Sequence, residues 1–176
     1  MYNVPMDLAN SYFLWLLAED EKLAEYQKII DSISDEYGTP RFNPHVTLVS
    51  GLSGSEVEME NDIVQLCLAH KPITLTFNEI DYTHGFFTAL FLRAERTAEV
   101  NNFNQHARDL LKPLGQGEYD PHMSLCYGEL NEEIKQKIIT KLNFSKVTMT
   151  FDKLKLVRGH SDVHQWEEVN TWHLSE

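Results

Sequence analysis

The sequence predicts an α+β fold of two similar lobes, with helices on the outer faces of the sheets. The first observation is a repeat of ten residues, which begins at Phe42 and again at Tyr119 and keeps Pro, His, Leu and Gly at the same places. The second is that similar helix and strand patterns surround both copies. Two halves with the same order of elements predict two lobes, each packed in layers around an apolar core.

Each element is predicted from the spacing of its apolar residues. The predicted elements of the first half are a strand over 12–17, a helix over 19–37, the motif strand, a helix over 54–69 and a strand over 73–82. Those of the second half are a strand over 86–92, a helix over 97–111, the motif strand, a helix over 131–142 and strands over 146–157 and 168–174. Gly38 marks the end of the first helix.

The length of 176 residues is that of one domain. We expect residues 1–176 to form a single domain, with lobe one over about 1–84 and lobe two over about 85–176. The turn-prone sequence Tyr82-Thr83-His84-Gly85 lies between these halves. Apolar residues make up 42% of the chain, so a core of ordinary size can form without a disulfide or a metal ion.

The charge balance limits the class of ligand. The chain has 15 Lys and Arg residues against 27 Asp and Glu residues, which gives a net charge of −12, and no cluster of basic residues. A protein that grips a long nucleic acid needs a positive stripe on its surface. We therefore expect no long nucleic acid as a partner, whereas a small anion in a focused pocket is compatible with this composition.

Three features of the sequence bear on location. Cys67 and Cys126 lack the spacing of a disulfide framework or a zinc ribbon, as is typical of reduced thiols in the cytoplasm. The apolar run at 12–18 is too short to span a membrane, and no Lys or Arg precedes it as in a signal peptide. We expect a cytoplasmic protein with no membrane partner.

Each copy of the repeat presents an imidazole and a hydroxyl together. Alternate side chains of a strand share a face, so His45 and Thr47 point one way, as do His122 and Ser124. If the two lobes face each other, these four side chains meet in one cavity. The set contains two proton carriers and two hydrogen-bond donors, but no carboxylate or thiolate nucleophile.

Two histidines and two hydroxyls suit the cleavage of a phosphodiester. Histidine titrates near pH 6.5, so one ring can accept a proton from water while the other gives a proton to the departing oxygen. The hydroxyls can donate to the non-bridging oxygens on phosphorus, and in-line attack needs a base and an acid on opposite sides. This chemistry requires no metal ion and no cofactor.

The two motifs resemble those of the 2H phosphoesterase superfamily, which has His-x-Thr or His-x-Ser in each half of a short chain. They are most similar to the motifs of its plant-type cyclic phosphodiesterase family, in the segments Pro40-Arg41-Phe42-Asn43-Pro44-His45-Val46-Thr47 and Tyr119-Asp120-Pro121-His122-Met123-Ser124-Leu125-Cys126-Tyr127. The resemblance implies a bilobal fold with two antiparallel sheets, helices on the outer faces and a central cleft. It also implies hydrolysis of nucleoside 2′,3′-cyclic phosphates or ADP-ribose 1″,2″-cyclic phosphate to a phosphomonoester.

The resemblance also implies a role for each matching residue. His45 and His122 would be the acid and base pair, with His122 activating water, and Thr47 and Ser124 would bind the phosphate oxygens. Tyr127 would orient the water, although strict alternation along the strand sends its side chain away from Ser124. Residues of the substrate cleft would be Trp15 and one of the neighbours Phe86 and Phe87. The expected partner is a small cyclic phosphate nucleotide, and we expect the protein to be a monomer.

Other functions fit part of the pattern. A 2′-5′ RNA ligase-like or RNA-end-processing member of the superfamily has the same motifs, and a nucleotide-binding module without catalysis could keep the cleft. A metallohydrolase would use His122 together with His160 and His164. Cys126 could supply a reactive thiol on the face of the second motif. Nothing in the sequence explains the acidic Asp120 beside that motif.

Overall fold

The computed structural model of the chain describes residues 11–115 and 117–175. The strands in these residues are β1 (Tyr12–Ala18), β2 (Val46–Leu52), β3 (Ile73–Asp81), β4 (Leu90–Ala94), β5 (His122–Cys126), β6 (Val147–Arg158) and β7 (Glu167–His173). The α-helices are α1 (Asp20–Tyr37), α2 (Glu56–Ala69), α3 (Ala98–Leu111) and α4 (Glu132–Leu142). Because the order strand, helix, strand, helix, strand occurs twice, the predicted α+β repeat is confirmed.

Local sequence sets the ends of several helices. The chain leaves α1 at Gly38, which has a left-handed φ of 67°. The side chain of Thr97 accepts a hydrogen bond from the Val100 amide at the start of α3, and Asn131 accepts one from the Ile134 amide at the start of α4. Within residues 11–115 and 117–175, no helix is both long enough and apolar enough to cross a membrane.

The strands form one antiparallel sheet in the order β1-β2-β5-β4-β3-β6-β7. Because β1 also pairs with β6, six strands close into a ring, and β7 lies beside β6. The two motif strands, β2 and β5, are neighbours in this ring but share one residue pair, Val46 with Met123. Their ladder is therefore short.

One detail of the expected fold differs: the strands form a single closed sheet in place of two separate ones. The physical reason is that each half supplies a strand to the other. Strand β3 pairs with β4 and β6 of the second half, and β6 pairs with β1 and β3 of the first. Apolar periodicity identifies a strand but does not say which strand it pairs with.

The helices also pack across the boundary between the halves. Helix α1 lies against β1 and β5, whereas α3 lies against β2 and β3. Asn104 of α3 is buried, and its side-chain amide donates to the Leu48 carbonyl of β2 over 2.6 Å. A bond of this kind fixes α3 against the motif strand of the other half, because a buried amide left unpaired would cost free energy.

Strand β1 is buried on both faces because both faces are covered. Leu14 and Leu16 point into the main core, and Phe13 and Trp15 alternate with them and pack in a second, smaller cluster that includes Val157. The apolar character of β1 is therefore continuous instead of alternating. The second cluster lies on the side of the sheet where the motif side chains are found.

The strand predicted over 86–92 begins later than expected. Phe86–Thr88 forms a 3₁₀ turn, and β4 begins at Leu90. The Thr88 amide donates to the Gly85 carbonyl, and the Thr83 amide donates to the Thr88 carbonyl. Apolar content does not distinguish such a turn from a strand, because both are rich in apolar residues and the turn is set by these local hydrogen bonds together with bonds from Gly128 and Ser124.

Gly51 in β2 occupies a position that only glycine fits. Its φ is 73°, and a Cβ built on it would lie 2.7 Å from the carbonyl oxygen of Leu114. Gly38 has a similar φ of 67°, but nothing lies within 4 Å of a Cβ built there. The two glycines therefore share the backbone requirement and differ in the space around them.

We expect Gly38→Ala to lower the free energy of unfolding by about 1–2 kcal/mol, because alanine is disfavoured at positive φ. Gly51→Ala should cost at least about 1 kcal/mol more, since the added methyl also meets the Leu114 carbonyl. Urea unfolding followed by circular dichroism measures both changes. Equal losses in the two variants would contradict the close approach at Gly51.

Candidate active site

A cavity of about 250 Å³ lies beside the two motif strands. Its lining side chains are Phe13, Trp15, His45, Thr47, Ser50, Phe87, Thr88, His122, Ser124, Tyr127 and Trp166. Both histidines and both hydroxyls of the repeat are in this set. The structure therefore brings together the four side chains that the two motifs have in common.

The register of β2 and β5 explains why these side chains meet. The one pair between the strands joins Val46 to Met123, which are the middle residues of the two motifs. In an antiparallel pair, the residues on either side of that pair lie opposite one another, with strands about 4.8 Å apart. Each histidine is thus opposite the hydroxyl residue of the other motif, in the combinations His45 with Ser124 and His122 with Thr47.

His45 lies flat against Trp15. The two ring centroids are 3.6 Å apart, the planes differ by 9°, and His45 is only 5% exposed. Its Nδ1 is 2.6 Å from the carbonyl oxygen of Asn43. Because a carbonyl can only accept a hydrogen bond, Nδ1 carries a proton, and Nε2 is the ring nitrogen left for water or substrate.

His122 makes the same backbone contact in different surroundings. Its Nδ1 is 2.7 Å from the carbonyl oxygen of Asp120, so its Nε2 is also left for the cavity. Its ring meets Phe91 edge to face, with centroids 5.1 Å apart, and the residue is partly exposed. The two histidines therefore share a protonated Nδ1 but differ in burial.

The surroundings of His45 keep its ring neutral. Burial lowers the pKa of His45 to about 3, and the charges of His122 and Lys155 act in the same direction. The hydrogen bond to the Asn43 carbonyl opposes this shift without reversing it. At pH 7 the unliganded cavity therefore contains a neutral imidazole at this position.

The two motif hydroxyls also differ. Ser124 is 6% exposed, and its Oγ donates to the carbonyl oxygen of Phe87 over 2.7 Å. Thr47 is partly exposed and is the cross-strand partner of Trp15. Ser124 therefore ties β5 to the 3₁₀ turn, and its hydroxyl must rotate to donate to a ligand in the cavity.

Tyr127 reaches the cavity because β5 ends at Cys126 and the alternation of the strand ends with it. Its ring stacks on Phe42, with centroids 3.7 Å apart and planes 11° apart. Burial raises the pKa of the Tyr127 phenol, although a hydrogen bond with Ser124 partly offsets the effect. The phenol is therefore protonated at neutral pH and can donate a hydrogen bond.

Aromatic rings form the walls of the cavity. Trp166 stacks on Phe13, with centroids 4.9 Å apart, and its ring lies 5.9 Å from those of Trp15 and Phe87. Phe87 lines the cavity, whereas Phe86, its neighbour in the 3₁₀ turn, packs behind the wall. Of the two phenylalanines expected near the cleft, Phe87 is therefore among the lining residues and Phe86 is not.

The sequence does not single out Phe13 or Trp166. Phe13 lies two residues before Trp15 in β1, so strand alternation places both on one face and could have identified it. Trp166 follows the 3₁₀ turn Val163–Gln165, and its indole N–H donates to the carbonyl of His160. No local sequence pattern predicts that Trp166 packs against Phe13 and Trp15 of β1.

The other candidate residues lie outside the cavity. Burial raises the pKa of the Cys126 thiol to about 11, and this thiol contacts the Tyr127 carbonyl, so it is no nucleophile at neutral pH. His160 and His164 are exposed, and His160 Nδ1 accepts a hydrogen bond from the Asp162 amide. Across the described part of the chain, no group of three or more metal-ligating side chains is placed to hold an ion.

The chain is similar to known proteins in sequence and in fold. The family model described as the 2′-5′ RNA ligase superfamily matches residues 18–163. A curated relative, a cyclic phosphodiesterase from Arabidopsis thaliana, is 26% identical over 172 residues, with 93% of this chain and 95% of the relative covered. The match therefore extends over nearly the full length of both proteins.

Solved structures share the fold. The E. coli LigT structure complexed with 3′-AMP has a TM-score of 0.60 at 12% identity and covers 95% of this chain and 99% of that chain. TT0787 of Thermus thermophilus has a TM-score of 0.58 at 14% identity and covers 93% and 97%. Since the family model also matches most of the sequence, the chain belongs to the 2′-5′ RNA ligase superfamily and is an enzyme of the 2H phosphoesterase class.

Proposed function

We propose that this protein hydrolyses ribose cyclic phosphates, as nucleoside 2′,3′-cyclic phosphates or ADP-ribose 1″,2″-cyclic phosphate, to phosphomonoesters. The observation that carries the proposal is that one cavity holds two imidazoles and two hydroxyls from paired strands. The name of the Arabidopsis thaliana relative, a cyclic phosphodiesterase, supports the same substrate class. His45 and His122 are the proton carriers, and Thr47 and Ser124 bind the phosphate oxygens.

The size and charge of the site favour a small substrate. The cavity of about 250 Å³ is near the lower limit for small-molecule sites. The net charge of −12 disfavours a long polyanion. The lining set contains aromatic rings that suit the face of a base or a ribose, including Phe87 and Trp166.

The surroundings of the histidines support a division of labour. His45 is buried and stacked, and its neutral ring leaves an unprotonated Nε2 that can take a proton from the attacking water, as a general base does. His122 is partly exposed and has its own Nε2 free toward the cavity, so this ring takes the role of general acid toward the departing ribose oxygen. This assignment is the reverse of the one implied by the sequence resemblance.

The charge of the phosphoryl group needs a partner in the cavity. Among the described lining residues there is no Lys or Arg. A protonated His122, together with hydroxyl donors from Thr47, Ser124 and Tyr127, supplies the positive charge and the hydrogen bonds that the equatorial oxygens require. Tyr127 orients the attacking water in this proposal, which its position in the cavity wall and its stacking on Phe42 support.

We expect His45→Ala and His122→Ala each to lower kcat for 2′,3′-cyclic AMP by about 10²-fold or more, because each removes one proton carrier. Turnover is measured in the presence of a chelator, with His84→Ala as the matched control, since His84 is an exposed histidine outside the cavity. Full activity in either motif variant would overturn the proposal. Binding without turnover in the native protein would support a silent nucleotide-binding module instead.

The same assay separates a small substrate from an RNA end. We expect turnover of a mononucleotide cyclic phosphate to depend weakly on salt, because no basic stripe contributes counterion release. An oligoribonucleotide that ends in the same cyclic phosphate serves as the comparison. Faster turnover of the RNA, with a steep loss at higher salt, would favour an RNA-end-processing function.

The acid and base roles are tested with a leaving group that needs no proton. A 4-nitrophenolate departs without an acid. We therefore expect the fold-loss of kcat caused by His122→Ala to be at least about ten times smaller on a 4-nitrophenyl phosphodiester than on the cyclic phosphate. His45→Ala should lose the same factor on both substrates. The opposite pattern would return the base role to His122.

The neutral state of His45 also predicts how stability depends on pH. In the unfolded chain, histidine titrates near pH 6.5, whereas burial lowers the pKa of His45 to about 3 in the folded protein. Between these values the unfolded state binds more protons, so stability is complete above about pH 6.5 and declines as the pH falls toward 3. We expect the urea midpoint of His45→Gln to fall less between pH 6.5 and 4.5 than that of the native protein.

The control for this pH dependence is His84→Gln, which removes an exposed histidine. Its urea midpoint should follow the native pH dependence. If His45→Gln and the native protein lost stability in parallel, the depressed pKa of His45 would be wrong.

A further inference from the structure

The two motif histidines are held in the same way by the residue two positions before each. The carbonyl of Asn43 holds Nδ1 of His45, and the carbonyl of Asp120 holds Nδ1 of His122. Between carbonyl and histidine stands a proline, at Pro44 or Pro121, which has no N–H for an anchoring hydrogen bond. The position of each carbonyl must therefore be fixed by other contacts, such as those of the side chain of the same residue.

For His122 that group is the side chain of Asp120, which Arg93 anchors. Arg93 Nη1 is 2.5 Å from Asp120 Oδ2, and Arg93 Nη2 is 2.7 Å from Asp81 Oδ2. The same guanidinium lies 5.1 Å from the centre of the Phe91 ring, which in turn meets His122 edge to face. Arg93 thus contacts both neighbours that set the position of the imidazole.

Strand pairing gives Arg93 a third link to His122. The two residues are direct cross-strand partners of β4 and β5, and the next amide of β4, that of Ala94, donates to the Pro121 carbonyl over 3.0 Å. The backbone of Arg93 is therefore fixed relative to the motif, and its side chain spans the distance from β3 to the loop before His122. The guanidinium is planar and presents five N–H donors in a fixed fork, so it holds the two carboxylates in one defined geometry, whereas a lysine offers a single flexible point charge.

His45 has a counterpart with different chemistry. The Asn43 amide donates to Glu168 Oε1 over 2.8 Å, and Lys155 Nζ lies 2.7 Å from the same oxygen. Lys155 is the cross-strand partner of Trp15, the ring that stacks on His45. Near each histidine there is thus a basic residue with an acidic partner, together with an aromatic ring in contact with the imidazole; Arg93 is on the strand next to His122, whereas Lys155 is one strand further from His45.

We propose that Arg93 is a positioning residue, which acts through Asp120 and Phe91 to keep Nε2 of His122 directed at the phosphoryl group. The proposal rests on the proposed function, in which His122 transfers a proton to or from the reacting ester. Arg93 itself does not line the cavity. Its effect is on the orientation and tautomer of the imidazole.

A positioning role and a structural role give different results here. The Arg93 side chain is 35% exposed and its two carboxylate partners are 38% and 39% exposed, so these ion pairs contribute little to stability. Misplacement of a catalytic group by about 1 Å can nonetheless cost about 10²-fold in rate. Loss of rate without a matching loss of stability is therefore the signature of positioning.

The test compares Arg93→Ala with Arg41→Ala. Arg41 is the matched control because it also contacts two carboxylates, Asp31 and Asp35, but no motif histidine. We expect Arg93→Ala to lower kcat for 2′,3′-cyclic AMP by about 10–100-fold, with KM changed less than about threefold. Arg41→Ala should keep the native kcat, and Arg93→Lys should restore only part of it.

A second measurement does not depend on turnover. In ¹⁵N-edited NMR of the histidine rings at pH 8, the native protein should show His122 as the single tautomer with a proton on Nδ1. Arg93→Ala should give a mixture of tautomers, whereas Arg41→Ala should not. If Arg93→Ala fails to fold, Asp120→Ala serves as the second variant, because it removes the same ion pair and leaves the backbone carbonyl in place. Its effect is measured on kcat and on the tautomer of His122.

The two proposals fail in distinguishable ways. If the native protein turns over no cyclic phosphate, the proposed function is wrong. The NMR comparison still decides in that case whether Arg93 orients His122. Native kcat together with an unchanged tautomer in Arg93→Ala would overturn the positioning role. So would a loss of kcat that Arg41→Ala matches, or one that only follows a fall in the urea midpoint.

Discussion

The site depends on one contact, the pairing of β2 with β5 at Val46 and Met123. Because these are the middle residues of the two motifs, this register alone sets each histidine opposite the hydroxyl residue of the other half. A slip of one residue would turn every side chain of one motif to the opposite face. The closed ring of six strands, completed by β1 and β6, limits such a slip. The closed sheet therefore maintains the register of this one residue pair.

Much of this site can be read from the sequence. The repeat identifies His45 and His122, and strand alternation groups each with its hydroxyl, because these rules concern neighbours along the chain. The role of Trp15 beside His45 and the entry of Trp166 depend on β1, β6 and the loop before β7. Such contacts between distant segments have no local pattern. The pairing of β3 and β6 with strands of the other half cannot be predicted either, because their apolar periodicity fits several partner strands equally well.

Two copies of one motif have become chemically different through their neighbours. His45 lies under the broad face of Trp15 and near the cation Lys155, whereas His122 meets the edge of Phe91 beside the Arg93 network. The acidic Asp120, unexplained by the sequence, is part of this difference because it pairs with Arg93. A symmetric backbone thus holds two imidazoles in different surroundings, which suits a reaction with one acid and one base.

The exchange of strands has a consequence for the two halves as separate molecules. Strand β3 has no partner within its own half, since both of its neighbours, β4 and β6, come from the other. A polypeptide that comprised only the first half would leave that strand without backbone partners, a form prone to self-association. Either half would find its complement only in the other half or in a second copy of itself. Joining the two in one chain supplies that complement at high local concentration and makes the cavity independent of protein concentration.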